Sequence, residues 1–231
     1  VQELILGQTV TNKLETDSYS FTLDEDSLLY FDSLTNSDKF KWSLTNVADG
    51  TEVVNQRQFN KSDGNDIATN PVLDLVAGDY QLKIDGDDTR VDYSFKLSNL
   101  IQAEALTLGS ATEGSFEAGK KSNLYHSEAV EGERFFFDYQ TITGSSSYSG
   151  YNQWKLIDPD GVEIFDQAMY LDASDVTVSK TGTYTLLVEN DIKDTPYLSE
   201  TIDYRFQVEK IADVQELILG QTVTNKLETD S

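Results

Sequence analysis

Side-chain oxygens crowd three short stretches of this 231-residue chain. Asp85-Gly86-Asp87-Asp88 is the first, Asp63-Gly64-Asn65-Asp66 the second, and Asn190-Asp191 with Asp194 the third. A calcium ion takes roughly six to eight oxygens from carboxylates and carbonyls. Asp85, Asp87, Asp88, Asp63, Asn65, Asp66, Asn190, Asp191 and Asp194 are therefore candidate Ca2+ ligands, with Asp158 and Asp160 as a weaker pair. The competing reading is that Asp, Asn and Gly build turns without any metal. No stretch carries the full spacing of an EF-hand loop, and no glycine-rich nonapeptide repeat is present.

Other chemistry has little to work with. The chain has 1 His and no Cys, which excludes disulfides, thiolate metal sites and His clusters. His126 follows Tyr125 in an alternating strand and is expected to point to solvent. Ser145, Ser146 and Ser147 lack a nucleophile-elbow frame. Carboxylate pairs are everywhere and carry no glycosidase specificity. Tyr148 and Tyr151 lie in a Ser/Gly-rich insertion, whose composition suits a ligand-contacting loop or a plain hairpin tip. With 41 acidic residues against 17 basic ones, the net charge of -24 argues against nucleic acid as a partner. No apolar run approaches the roughly 20 residues of a membrane span. These features point to a protein that is not an enzyme.

Residues 1–18 and 214–231 are identical letter for letter, an offset of 213 residues. The expected reading is one period plus a short overlap from a tandem array, the plainer alternative being an engineered or permuted duplication. A fainter repeat lies inside the period. Leu29-Tyr30-Phe31-Asp32 matches Phe135-Phe136-Phe137-Asp138, and Trp42-Ser43-Leu44 matches Trp154-Lys155-Leu156. Tyr19 matches Tyr125, Gly50 matches Gly161, Gly78-Asp79-Tyr80 matches Gly182-Thr183-Tyr184, and Tyr93 matches Tyr204. The expected units are residues 1–103, residues 104–213, and residues 214–231 as the first strand of a next repeat. Each full unit has an ordinary single-domain length.

The elements that must hold these residues are strands. Tyr19, Phe21 and Leu23 alternate with polar residues, as do Phe40, Trp42 and Leu44, then Tyr80, Leu82 and Ile84. Period-two alternation marks strands with one buried face. Turn signals separate them, among them Ala48-Asp49-Gly50, Ile84-Asp85-Gly86-Asp87 and Asp158-Pro159-Asp160-Gly161. The fold class expected is all-β: two tandem antiparallel β-sandwiches, jelly-roll or Ig-like, with a Trp filling each core.

On these anchors the chain resembles the bacterial pre-peptidase C-terminal domain. The motifs are Tyr19-Ser20-Phe21, the run from Trp42 to Gly50, Gly78-Asp79-Tyr80-Gln81-Leu82-Lys83-Ile84, Tyr93-Ser94-Phe95 and Gly182-Thr183-Tyr184-Thr185-Leu186-Leu187-Val188. The resemblance covers most of both units through loose motifs. It implies a secreted accessory module, jelly-roll-like and in some members calcium-binding. This chain departs from it in carrying no peptidase and in arraying its modules. That is closer to giant repeat proteins of the bacterial cell surface. The expected function is a non-enzymatic stalk or fibre repeat whose partners are neighbouring identical repeats. One alternative is an adhesion module for surface glycans, contacted through Tyr148 and Tyr151. Another is a filament subunit linked by strand exchange through Leu217, Ile218 and Leu219.

Overall fold

A computed structural model describes residues 1–13, 17–62, 70–86, 92–116, 122–143, 152–190 and 201–212. In the N-terminal half the strands are β1 Gln2–Glu3, β2 Thr9–Lys13, β3 Asp17–Leu23, β4 Ser27–Ser33, β5 Phe40–Asn46, β6 Glu52–Gln58, β7 Val72–Leu75, β8 Gly78–Gly86 and β9 Asp92–Asn99. After the 3-10 turn Leu100–Gln102 come β10 Glu104–Ala105, β11 Ala111–Phe116, β12 Ser122–Ala129, β13 Arg134–Thr143, β14 Asn152–Ile157, β15 Glu163–Ala168, β16 Ala173–Thr177, β17 Gly182–Asn190 and β18 Ile202–Ile211.

Each half is a two-sheet sandwich. The first pairs a five-stranded sheet, β1-β3-β8-β5-β6, with a four-stranded sheet, β2-β9-β4-β7. The second repeats the plan as β10-β12-β17-β14-β15 over β11-β18-β13-β16. Pairing is antiparallel except at two edges, where β1 and β10 run parallel to β3 and β12. The alternation explains the layers. Tyr19, Phe21 and Leu23 face inward on β3, and Tyr80, Leu82 and Ile84 do so on β8. Trp42 and Trp154 are each 0% exposed and centre the two cores. Trp42 lies parallel to Phe31, with ring centroids 4.0 Å apart, and its Nε1 donates to Ser62 Oγ at 2.8 Å.

At one end of each core two tyrosines meet across the sheets. Tyr19 and Tyr93 hydroxyls are 2.5 Å apart, and Tyr93 also donates to Asp17. The repeat-equivalent pair, Tyr125 and Tyr204, is 2.7 Å apart, with Asn123 Nδ2 donating to Tyr204 at 2.8 Å. Burial, more than any neighbour, pushes the Tyr93 and Tyr204 hydroxyls far above the usual phenol range.

One expected turn differs. Asp85 and Gly86 continue β8, because β5 keeps pairing that far: Lys41 opposes Asp85 and Phe40 opposes Gly86.

Candidate functional site

The two sandwiches meet sheet face to sheet face. β4 turns Leu29 and Phe31 into its own core, so Leu28, Tyr30 and Asp32 point the other way. They land on the outer face of the second five-stranded sheet. There β12 supplies Ser122 and Leu124, β14 supplies Lys155 and Ile157, and β17 supplies Thr185, Leu187 and Glu189. Tyr30, Leu100, Ile157 and Leu187 form a third buried cluster, with Leu28, Val72 and Leu124 packed on it. Four sheets are therefore layered in sequence through the chain. Residues on β4 and β17 are buried on both faces, which is why these strands read as continuous apolar runs where alternation would leave polar residues.

The turn after β14 locks into this face. Asp158 Oδ1 accepts from the backbone N–H groups of Asp160 and Val162 at 2.9 and 2.8 Å. Gly161 takes φ +77°, and a Cβ there would stand 2.9 Å from Leu28 Cδ2 and 3.3 Å from Val72 Cγ1. Asn70 Nδ2 donates to the Gly161 carbonyl.

A polar cluster sits inside the junction. Tyr30 Oη donates to Glu189 Oε2 at 2.9 Å and lies 3.2 Å from Ser122 Oγ. Ser122 Oγ donates to Asp32 Oδ1 at 3.1 Å. Tyr30 and Asp32 are 1% exposed and Glu189 is 0% exposed. Burial pushes the Glu189 carboxyl up to about 7; the Lys155 charge and the Tyr30 hydroxyl oppose the rise, and Asp32 and Asp166 add to it. Lys155 is also buried, with its Nζ 2.5 Å from Asp166 Oδ2 and 3.7 Å from Glu163 Oε2. The cluster can fix the register in which the two faces dock. It presents no nucleophile with a paired base.

Of the expected calcium ligands, Asp85 and Asn190 are described. Asp85 Oδ1 is 2.9 Å from Lys83 Nζ, and its Oδ2 accepts from Gln56 Nε2 at 3.0 Å. Partial burial raises the Asp85 carboxyl, but Lys83 and Gln56 outweigh that and hold it below the usual range. Asn190 closes β17 opposite Asn152. Asp63, Asn65, Asp66, Asp87, Asp88, Asp191 and Asp194 lie outside the described residues, as do Tyr148, Tyr151, Leu217, Ile218 and Leu219. Asp158 and Asp160 share Lys180, whose Nζ is 2.5 and 2.6 Å from them. Among the described residues no three His, Cys, Asp or Glu side chains are grouped to hold a metal. His126 is half-buried on β12 opposite Thr185, and its carbonyl accepts from Leu106 N–H at 2.8 Å.

Reading the sequence for loops missed Tyr30, Asp32, Ser122 and Glu189. The available signal was a pair of broken alternations: Leu186-Leu187-Val188 stands where its repeat partner has Leu82-Lys83-Ile84, and Lys155-Leu156-Ile157 where it has Ser43-Leu44-Thr45.

No family model matches the chain, and no curated protein matches it. Among solved structures it is similar to the pre-peptidase C-terminal domain of collagenase from Bacillus anthracis, with a TM-score of 0.32 and 16% identity over 47% of this chain and 95% of that one. It is also similar to PliG, a periplasmic inhibitor of g-type lysozyme from Aeromonas hydrophila, with a TM-score of 0.31 and 13% identity over 46% of this chain and 99% of that one. A third is Clostridium perfringens ZmpB, comprising its M60 catalytic domain with CBM51-1 and CBM51-2, with a TM-score of 0.27 and 12% identity over 88% of this chain and 34% of that one. No helix among the described residues is long and apolar enough to cross a membrane. The resemblance to the pre-peptidase C-terminal domain is at low identity.

Proposed function

We propose that this chain is one period of a non-enzymatic structural repeat in a large secreted bacterial surface protein, built as an extended stalk or fibre. One observation carries the reading. The outer face of one sandwich is buried by the next, in a chain whose first 18 residues recur at residue 214. Sandwiches on a flexible tether would keep those faces polar and wet. Here Ile157 and Leu187 are each 1% exposed, and the connection is the short turn Leu100–Gln102. Asn99 Oδ1 accepts from Ile101 N–H at 3.1 Å and stiffens that connection. Units that contact only their sequence neighbours give length by repetition, with stability summed over units and interfaces.

The test is small-angle X-ray scattering on chains of one, two and three periods. A stalk repeat gives a largest dimension that grows in proportion to the number of periods. Growth as the square root, the behaviour of beads on a flexible tether, would sink the reading.

A further inference from the structure

The two sandwiches fold alike but are not filled alike. On β3, Phe21 and Leu23 stand opposite Tyr80 and Gly78 of β8. On β12, the residues opposite Tyr184 and Gly182 of β17 are Ser127 and Ala129. The register is the same, so Ser127 takes the place of Phe21 and Ala129 that of Leu23. In the first sandwich the Phe21 ring stacks on Tyr80, with centroids 5.5 Å apart and planes 15° from parallel. The tyrosine is anchored the same way in both. Tyr80 Oη donates to the Val76 carbonyl at 2.9 Å, and Tyr184 Oη donates to the Lys180 carbonyl at 3.0 Å. Tyr184 therefore turns toward Ser127 the ring face that Tyr80 gives to Phe21.

The exchange leaves a slot between the two sheets of the second sandwich. Tyr184, Ala129 and Phe135 are among its walls, which are apolar. Ser127 points its hydroxyl at the Glu128 carbonyl, 3.4 Å away. Phe135, where the first sandwich has Leu29, takes back part of the space, and about 30 Å3 stays free. The segment 106–108 crosses from one sheet to the other along the slot. Leu106 N–H bonds the His126 carbonyl and Gly109 N–H bonds the Val208 carbonyl, both at 2.8 Å. Leu4 is 4% exposed in the first sandwich, but its counterpart Leu106 is only half-buried, and Leu106 and Leu108 both line the slot. A dry apolar space takes apolar guests.

We propose that this slot binds a small aromatic molecule, whose single flat ring lies on Tyr184 as the Phe21 ring lies on Tyr80. Leu106 and Leu108 turn outward to admit it. A flat ring suits the place better than an aliphatic group, because the wall it meets is an aromatic face and stacking adds to burial. The first sandwich offers no matching site, since its own side chain fills that position. The site is independent of the stalk reading.

Amide NMR spectra of the whole chain, titrated with toluene, test this. Signals around Leu106, Ser127 and Tyr184 shift and saturate near ~1 mM toluene, and the melting temperature rises as toluene is added. Methylcyclohexane, similar in size but not flat, binds roughly fivefold more weakly, because it forgoes the ring contact. Ser127→Phe supplies the ring from within, and the toluene shifts vanish. Ala129→Leu intrudes less and weakens toluene binding, which carries the comparison should Ser127→Phe fail to fold. Overturning results are no saturable shift up to the solubility limit of toluene, equal binding of methylcyclohexane, or toluene shifts that persist in a folded Ser127→Phe variant.

Discussion

Tyr30, on the first sandwich, donates a hydrogen bond from its hydroxyl to Glu189, on the second, at 2.9 Å and out of reach of water. The bond joins residues 159 positions apart and ties one sandwich to the other. Tyr30→Phe leaves the ring in place and takes one donor from a buried carboxyl. The expected effect is a loss of roughly 1–3 kcal/mol from the junction, read by urea unfolding as a single transition separating into two. A single transition at the original midpoint would show the bond to be dispensable.

Protonation of Glu189 sets a pH dependence. Its carboxyl rises from an ordinary 4.5 to about 7 in the folded chain, mainly through burial, among Tyr30, Ser122, Asp32, Lys155 and Asp166. The folded state therefore holds the proton more tightly than the unfolded state. The stabilisation is fully present below pH 4.5 and is lost as the pH rises through about 7. Melting temperature should fall between pH 5 and 8 by an amount equivalent to about 2–3 kcal/mol. Glu189→Gln should flatten that slope and make the protein more stable than the parent at pH 8. A slope left intact in Glu189→Gln would place the proton elsewhere.

Gly50 and Gly161 form a matched pair of probes. Both hold positive φ, +72° and +77°, in equivalent turns. Nothing lies within 4 Å of a Cβ at Gly50, whereas Leu28 and Val72 crowd one at Gly161. Each change to Ala carries the left-handed backbone strain of about 1 kcal/mol. Gly161→Ala should lose a further 1–2 kcal/mol or so through collision across the junction. Equal losses in the two variants, measured by thermal melting, would mean that the junction yields freely there.

The tyrosine pairs should respond unequally. Tyr93→Phe strips a donor from the buried Asp17 carboxylate, while Tyr204→Phe strips one partner from Tyr125 and from the Asn123 amide. A charged group left unsatisfied costs more than a neutral one. The expected losses are about 2–3 and about 1 kcal/mol. Trp42 fluorescence in a Trp154→Phe background follows the first sandwich cleanly, since Trp154 Nε1 has no hydrogen-bond partner to lose. Equal losses would argue that Asp17 is hydrated.

The inward sets were legible in the sequence because they obey a two-residue period. Tyr19-x-Phe21-x-Leu23 and Tyr80-x-Leu82-x-Ile84 each bury as that period requires, and both Trp residues fill their cores. The paired arrangement of Gly50 and Gly161 followed from turn chemistry. The parallel edges β1 and β10 did not, because two residues are too short for any period. The junction was hidden for a different reason. Tyr30 and Leu187 are unremarkable in isolation, and their burial depends on which sheet faces meet, a long-range matter of packing. The acidic loops drew attention because oxygen-rich sequence is conspicuous. For Asp85 the local partners Lys83 and Gln56 engage one carboxylate oxygen each.

Layering sheet on sheet has a mechanical corollary. Strands lie across the direction in which the layers succeed one another, so a pull along that direction puts no backbone ladder into shear. Load falls first on the crossing at Leu100–Gln102 and on the dry contact around Tyr30, which part as flat plates do. Under such a pull the contact around Tyr30 is expected to open before either sandwich core unfolds.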